Sequence, residues 1–527
     1  MGADVVVEKP FMKRENLLGS TVLVSINRII SLSFGYTRDM IWACVFGSSL
    51  AFDAFVIAFH LPSFFSYIIS EAGIRQVFIP LLSEKQIQST DADVKTFISD
   101  ISLILLIVLV VVVIISIGMA PVIIKMFAPG LCKVEKSFIL AVSLFRIMAV
   151  GILFTSLSEL FGAILNTFGS YGIPSSTPII FNVVAILSTS YFTDYFKIPI
   201  YALAFGILAS GIFQGLIQIP FLKRKNLLVK PSPRINVVLI RKVFKMVIPT
   251  LAGVSIMQLG VLIDFIFSSY LPKGSITWLY YSTRLMEIPV GIFSIAIAAV
   301  ALPNLGRYYA KKDMDSYNQV LDGSIRNTLF FGMPASAGLF VLSGPIIATL
   351  FKHGIFSSND VIMATSSTKA FAIGICGFML IKACAVASYA RQDAKLPAKI
   401  AAIGLLCNIV FNFIFFKQLM HAGLALATSL AGIVNAGILF SCLITKKYYQ
   451  PEAGFWLYTI KLMIATLTML LVLLHMTPTL SAWLNAGTIW RILHLSMLIL
   501  LGAMTYILSM DLLGCRIKKF SLGLKME

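Results

Sequence analysis

Residues Arg28–Glu84 read RIISLSFGYTRDMIWACVFGSSLAFDAFVIAFHLPSFFSYIISEAGIRQVFIPLLSE, and they decide the fold because charges stand inside strongly apolar runs. The pattern predicts a first helix from about Leu17 to Tyr36, a turn at Tyr36–Asp39 and a second helix broken after Pro62. A helix rises 1.5 Å per residue, so Arg28 lies about 16 Å along the first helix, near the middle of a bilayer. We expect Asp53 to lie at a similar depth in the second helix.

A charge at that depth costs at least about 2.5–3.5 kcal/mol, so it normally faces a water-filled cavity or a partner. Two interpretations follow. The charges of Arg28 and Asp53 line a cavity that receives a substrate, or they form a structural Arg–Asp pair between packed helices.

The composition sets the class of protein. The chain has 527 residues, of which 58% are hydrophobic and 12% charged, and its mean hydropathy is +0.92. Successive apolar runs predict an all-α polytopic membrane protein with about fourteen transmembrane helices. Several runs exceed the twenty or so residues needed to span, which indicates tilt or breaks.

The net charge of +19 is distributed as in a membrane protein and not as in a nucleic-acid-binding protein. Most Lys and Arg residues fall in the predicted cytoplasmic segments, and the densest cluster lies at Lys223–Lys245. This positive-inside pattern predicts that both termini are cytoplasmic. The cluster lacks the interleaved aromatic residues that stack bases, so we expect no nucleic-acid partner.

No constellation for catalysis or metal binding stands out. The seven cysteines include no C-x-x-C pair, and the five histidines form no H-E-x-x-H group. The first apolar run is too long for a cleaved signal peptide and is interrupted by Arg28, so we expect it to be retained. We therefore predict a transporter that is not an enzyme and has no cofactor or metal.

An internal repeat organises the chain. Asn182 follows a Gly-Ile-Pro turn and Asn408 follows a Lys-Leu-Pro turn, and the two asparagines are about 225 residues apart. Pro62 and Pro289 stand at nearly the same offset. Six predicted spans per unit return the chain to its starting side, so the units are parallel repeats around a central cavity, an architecture suited to alternating access. The predicted division is 1–222 (N-terminal lobe), 223–242 (basic linker), 243–447 (C-terminal lobe) and 448–527 (two further helices and a basic tail).

The second lobe carries its own charges within a span. Arg284 and Glu287 are three residues apart on one helical face. They form an ion pair near the membrane interface, or they line the cavity with Arg38 and Asp53. Arginines from both lobes suit an anionic substrate, because the planar guanidinium matches phosphate oxygens. A drug–cation exporter would need a carboxylate-rich cavity, whereas Asp39, Asp53 and Glu287 each stand near an arginine.

Seven motifs together resemble the MurJ (MviN) family of bacterial lipid II flippases, within the multidrug/oligosaccharidyl-lipid/polysaccharide exporter superfamily. They are GYTRD (35–39), DAFVIAFHLP (53–62), FIPLLSE (78–84), AILNTFGSYGIP (163–174), WLYYSTRLMEIPVG (278–291), LSGPIIATLFKHGIF (342–356) and YARQDAKLPAKIA (389–401). The resemblance runs from about Leu17 to Cys515.

The resemblance implies a flippase for the undecaprenyl-pyrophosphate-linked disaccharide–peptide precursor of peptidoglycan. The family's cavity arginines carry over to Arg38 and Arg284, and its helix-two aspartate to Asp53. The last two helices would form a groove for the polyprenyl tail. We expect the chain to work as a monomer among membrane lipids. The open alternative is an exporter of another polyprenyl-linked glycan or of a small cation.

The sequence departs from the family pattern in two regions. Leu32 stands where the family usually has an arginine, and Arg28 lies one helical turn earlier, rotated only about 40°. Ser66 and Tyr67 stand where the family often has basic residues. Either Arg75, which follows Gly73, supplies the missing charge at the cavity mouth through a bend in the helix, or Arg75 is an ordinary interfacial arginine.

Overall fold

The computed structural model describes residues 14–229 and 237–515, and within these ranges every regular element is helical. The chain divides into two units, residues 1–46 with 50–258 and residues 47–49 with 259–527. The helices of the first unit are α1 (Arg14–Phe46), α2 (Leu50–Ile68), α3 (Ile79–Gln88), α4 (Asp91–Gly118), α5 (Ala120–Phe127), α6 (Glu135–Thr167), α7 (Gly172–Phe192), α8 (Ile200–Leu216) and α9 (Ile219–Arg224).

Helix α10 (Val237–Ser269) begins in the first unit and ends in the second. The further helices of the second unit are α11 (Ser275–Ala310), α12 (Met314–Phe351), α13 (Ser358–Ala390), α14 (Lys395–Thr445), α15 (Phe455–Met476), α16 (Leu480–Asn485) and α17 (Thr488–Leu512).

The prediction of an all-α polytopic protein is confirmed. Eleven helices in the described ranges are long and apolar enough to cross a membrane. Helix α14 contains two helical segments that meet at Met420, whose φ of 49° and ψ of −129° are not helical. The predicted count of fourteen is consistent with this arrangement, since α1 and α10 are also long helices.

The predicted turn at Tyr36–Asp39 is wrong. Helix α1 continues without a break to Phe46, and the chain turns at Gly47–Ser49. Gly47 has a φ of +53°, a conformation that glycine adopts without steric cost. The glycine and the polar residues at 35–39 resemble a turn in sequence, but the backbone there stays helical.

The second helix also differs from the prediction. Pro62 lies inside α2, and the irregular part begins at Ile69, where ten residues form a π-helical segment, Ile69–Phe78. Membrane helices tolerate proline because neighbouring groups satisfy the freed carbonyl. Gly73 and Arg75 both lie in this π-helical segment.

Apolar packing fixes the π-helical segment within the first unit. Ile74, Val77 and Phe78 are buried in a cluster with residues of α4 and α6. The ring of Phe78 stacks on Phe97 of α4 with a centroid separation of 6.1 Å. Because side chains of three elements interlock here, the segment is part of the core.

Candidate functional site

Arg38 lies at the centre of a buried polar group in the first unit. Its side chain is 2% exposed, and its Nε and Nη2 donate to Asp39 Oδ1 at 3.0 and 2.7 Å. Its Nη1 donates to Asn182 Oδ1 of α7 at 2.9 Å, and Asn182 donates in turn to the Ser31 carbonyl at 3.1 Å. The guanidinium also lies 4.4 Å from the ring centroid of Trp42. Arg38 is thus a desolvated cation with a carboxylate beside it.

Arg28 is on the same helix but in a different setting. It is exposed and forms no ion pair with another described residue. Ten residues separate it from Arg38, which is about 15 Å along a helix. The structure therefore brings Asp39 to Arg38 and leaves Arg28 apart from both.

The sequence predicted that Asp53 lies deep in the second helix. It does not, because α2 begins only at Leu50. Its carboxylate is in the first turn of α2 and is 3% exposed. A negative charge is favoured there by the dipole of the helix N-terminus.

Arg284 and Glu287 form the ion pair that their spacing predicts. Arg284 Nη1 lies 3.2 Å from Glu287 Oε2, with side-chain exposures of 33% and 52%. The guanidinium carbon of Arg284 is 5.7 Å from the ring centroid of Tyr280. Such a partly hydrated pair is weak and exchanges partners easily.

Arg75 is more exposed than Arg38 or Arg284. Its side chain is 58% exposed and contacts two carboxylates, Glu159 at 3.4 Å and Glu71 at 3.8 Å. Ser66, at one of the positions where the family often has basic residues, is within 3.0 Å of the Thr155 hydroxyl and 3.2 Å of the Ser156 hydroxyl, both on α6.

The sequence analysis missed a partly buried carboxylate in the second unit. Asp264 of α10 accepts hydrogen bonds from Asn412 Nδ2 at 2.9 Å and from the Thr428 hydroxyl at 3.0 Å. Asn408 donates to Thr428 at 3.0 Å, which closes the cluster. A carboxylate among neutral oxygen-bearing groups in a membrane segment can take up a proton or a small cation to neutralise its charge. The signal in the sequence was an aspartate within an apolar run with no basic residue nearby.

Metal-binding groups of the usual kind are not found in the described parts of the chain: no cluster of three or more His, Cys, Asp or Glu side chains occurs there.

A large apolar cavity in the second unit lies between α12, α13 and α15. Its volume is about 810 Å³, and its lining includes Phe340, Ile373, Ile460, Ile464 and Leu467. Helix α17 packs against α15 through Gly502 and Leu473, and its Tyr506 hydroxyl donates to the Phe330 carbonyl of α12 at 2.9 Å. A cavity of this size and polarity suits a hydrocarbon chain.

A polar clasp on α12 holds the start of α15. Asn318 exchanges two hydrogen bonds with the backbone of Gln450, at 2.7 and 2.8 Å. One helical turn later, Asp322 accepts from the Tyr449 hydroxyl at 2.6 Å and pairs with Arg326. The Arg326 guanidinium lies 5.4 Å from the ring centroid of Phe455, the first residue of α15. These contacts fix the position at which α15 enters the wall of the cavity.

Arg491 holds the other end of this region. It is 5% exposed and donates four hydrogen bonds, all to main-chain carbonyls, of Ala348, Lys352, Trp483 and Leu484. The arginine thereby joins α17 to the end of α12 and to α16.

Solved structures with the same architecture come from transporters. The chain superposes on a "Lipid II flippase MurJ, inward closed conformation" with a TM-score of 0.80 and 27% identity, covering 93% of this chain and 98% of that one. An inward-facing multidrug transporter of the MATE family shares the fold at a TM-score of 0.66 and 14% identity, covering 81% of this chain and 98% of that one.

Sequence relatives cover almost the full length. "Probable lipid II flippase MurJ" proteins of Buchnera aphidicola and Vibrio cholerae are 33% and 34% identical, each over 96% of this chain and over 99% and 97% of their own. A "Lipid II flippase MurJ" of Burkholderia cenocepacia is 31% identical over 86% of this chain and 89% of its own. Residues 42–494 match the sequence profile of the family described as "Lipid II flippase MurJ". The chain therefore belongs to the MurJ family.

Proposed function

We propose that this protein flips lipid II, the undecaprenyl-pyrophosphate-linked disaccharide–peptide precursor, from the cytoplasmic to the outer leaflet of the bacterial inner membrane. The observation that carries the proposal is the match to lipid II flippases along almost the whole chain, in both sequence and fold. The protein is a multi-pass membrane transporter that performs no covalent chemistry, and it exposes the head group alternately to each side.

The pyrophosphate is held by Arg28, Arg38 and Arg284. Each planar guanidinium group can donate two parallel hydrogen bonds to phosphate oxygens. The carboxylates of Asp39, Asp53 and Glu287 balance these cations while no substrate is bound. Because Arg38 is fully paired with Asp39 and Asn182, its engagement requires the phosphate to replace the carboxylate. The weaker pair of Arg284 with Glu287 makes Arg284 the more accessible phosphate ligand.

The polyprenyl tail lies in the cavity that α15 borders, and the region 448–527 serves as the tail-binding part. Residues 1–222 and 243–447 act as the two lobes, and the basic segment 223–242 connects them on the cytoplasmic side. Both termini are cytoplasmic, and the protein works as a monomer without a cofactor or a nucleic-acid partner.

Asp264 offers a site at which transport could be linked to an ion gradient. The negative charge of Asp264 must be neutralised in the membrane, and binding of a proton or a monovalent cation neutralises it.

The test is depletion of this protein from a bacterial strain engineered so that it is the only lipid II flippase. We expect newly made lipid II to become inaccessible to an enzyme added outside the cells, and re-expression to restore access. Undiminished access after depletion contradicts the proposal. The alternative is export of another polyprenyl-linked glycan or of a small cation. It predicts that lipid II does not compete with that substrate for binding to the purified protein.

A further inference from the structure

A second cavity, lined by both polar and apolar residues, lies within the first unit, and none of the three proposed pyrophosphate arginines lines it. Its volume is about 450 Å³, and α1, the π-helical segment, α6 and α7 form its walls. Arg75 and Glu159 line it together with Gln218, the residue that precedes α9.

Gln218 presents an acceptor with no donor. Its side chain is fully buried, and its Nε2 donates to the Ser158 carbonyl at 3.0 Å and to the Ser158 hydroxyl at 2.8 Å. These bonds fix the amide plane, and its Oε1 accepts no hydrogen bond from any described residue. Gly162 packs closely beside this oxygen, since an added Cβ would lie 3.4 Å from it and 3.3 Å from Pro174 Cβ. A buried amide oxygen without a partner is costly, so the site favours a group that donates an N–H or O–H.

The cavity also carries one positive and one negative group that are only loosely paired. Arg75 and Glu159 are 3.4 Å apart and about half exposed, at 58% and 46%. Arg75 also lies 3.8 Å from Glu71. Half-exposed pairs at these distances contribute little, so Arg75 and Glu159 can each exchange the other for a group on a ligand.

Resting on the proposed function, we propose that this cavity binds the peptide part of the head group. A peptide carboxylate pairs with Arg75, a peptide ammonium with Glu159, and a peptide amide N–H donates to Gln218 Oε1. The two opposite charges favour a peptide over the disaccharide, whose hydroxyl groups need no ionic partner. In this proposal, Arg75 serves the peptide and not the pyrophosphate.

The experiment compares two ligands on the purified full-length protein in lipid nanodiscs. One ligand is lipid II, and the other is the same polyprenyl-pyrophosphate disaccharide without its peptide. We expect the wild-type protein to bind lipid II about tenfold more tightly, as one or two charge-assisted hydrogen bonds would give. Glu159→Gln and Arg75→Gln should each bring the ratio of the two affinities close to one. Both side chains are about half exposed and are replaced by polar amides, so folding should be preserved.

Lys85→Gln is the matched control, because it removes an exposed cation from α3 that does not line the cavity. The ratio should remain at the wild-type value in this variant. Gly162→Ala tests the cavity itself, since its methyl group would press against Gln218 Oε1 and Pro174, both of which line the cavity, and should lower the ratio. A wild-type ratio of one overturns the peptide site and leaves the flippase proposal standing. Failure of the wild-type protein to bind either lipid contradicts the proposed function instead.

Discussion

At the scale of single residues, the three arginines proposed for the pyrophosphate differ in how much of their hydrogen-bonding capacity is already used. Arg38 is buried with three guanidinium nitrogens occupied, Arg284 is one-third exposed and pairs with the half-exposed Glu287, and Arg28 is exposed. The same substitution therefore has a different consequence at each position.

Arg284→Ala should abolish transport while the protein remains folded and inserted. Loss of one charge-assisted contact to phosphate costs about 1.5–3 kcal/mol, which is more than tenfold in affinity. Lysine should restore activity only in part because it lacks the planar fork. The measurement is growth with the variant as the sole copy, and Arg307→Ala, an exposed arginine in the last turn of α11, is the control. Normal growth of Arg284→Ala would exclude a phosphate role for this residue.

Arg38→Ala should destabilise the fold as well as stop transport. Removing one partner of a buried ion pair leaves an uncompensated charge, which here is on Asp39. This costs about 3–5 kcal/mol. The double change Arg38→Leu with Asp39→Leu should recover much of the thermal stability of the purified protein without recovering transport. If the single variant is as stable as the wild-type protein, the pair contributes nothing to folding.

The sequence predicted the local parts of the site and not the distant ones. Arg284 with Glu287 follows from helical spacing, and Arg38 with Asp39 from adjacency. The hydrogen bonds that Arg38 donates to Asn182 and that Asn412 donates to Asp264 each join residues almost 150 positions apart. Such contacts depend on which helices pack together, and periodicity does not reveal that.

Asp264→Asn should test the missed carboxylate. The amide fits the same space and can accept one hydrogen bond, but it carries no charge to be neutralised. We expect the variant to fold and to lose any dependence of transport on an ion gradient, measured as lipid II flipping in vesicles with and without an ionophore. Asp315→Asn, which neutralises an exposed carboxylate in the first turn of α12, should retain that dependence.

At the scale of elements, composition and length predicted most helices, and the discrepancies arise where local signals compete. Pro62 signals a break in a soluble helix, yet the membrane helix continues through it to the π-helical segment at Ile69. The turn at Gly47 was missed because Gly35 and its polar neighbours gave a stronger turn signal. The presence of a glycine does not by itself identify the turn, since only the backbone angle distinguishes the turn at Gly47 from the helix at Gly35.

The clasp on α12 makes a prediction about α15. Asp322→Ala removes the acceptor of Tyr449 and the partner of Arg326, so the start of α15 should loosen and widen the apolar cavity. We expect a loss of about 1.5–3 kcal/mol in stability, the usual value for a hydrogen bond to a charged group. A cysteine at Ile464 should then react faster with a membrane-soluble maleimide.

Asp315→Ala on the same helix is the matched control, because its side chain is exposed and stands outside the clasp. Equal labelling rates in both variants and the wild-type protein would show that the clasp does not position α15.

At the scale of the whole molecule, the distribution of basic residues predicts the topology. Lys230 and Lys525 should be cytoplasmic, and Lys273 and Lys417 should face outward. Lys230 and Lys525 lie outside the described residues, so chemical labelling must determine on which side of the membrane they lie. In a cysteine-free background, a single cysteine at each position is probed in intact cells with an impermeant thiol reagent. Labelling at 273 and 417 alone supports the fourteen-span topology, and labelling at 230 overturns it.

The attachment of α17 through Arg491 also matters for the conditions under which the protein can work. The predicted topology exposes this end of the helix to the outer compartment, whose acidity follows the surroundings. An attachment made with aspartate or glutamate would weaken in acid, as the carboxylate became protonated. Arg491 instead binds four peptide carbonyls, which hold no proton to gain or lose in that range. Every amino acid carries the same main-chain carbonyl. The attachment of α17 should therefore persist in acid surroundings and after amino-acid substitutions in α12 and α16.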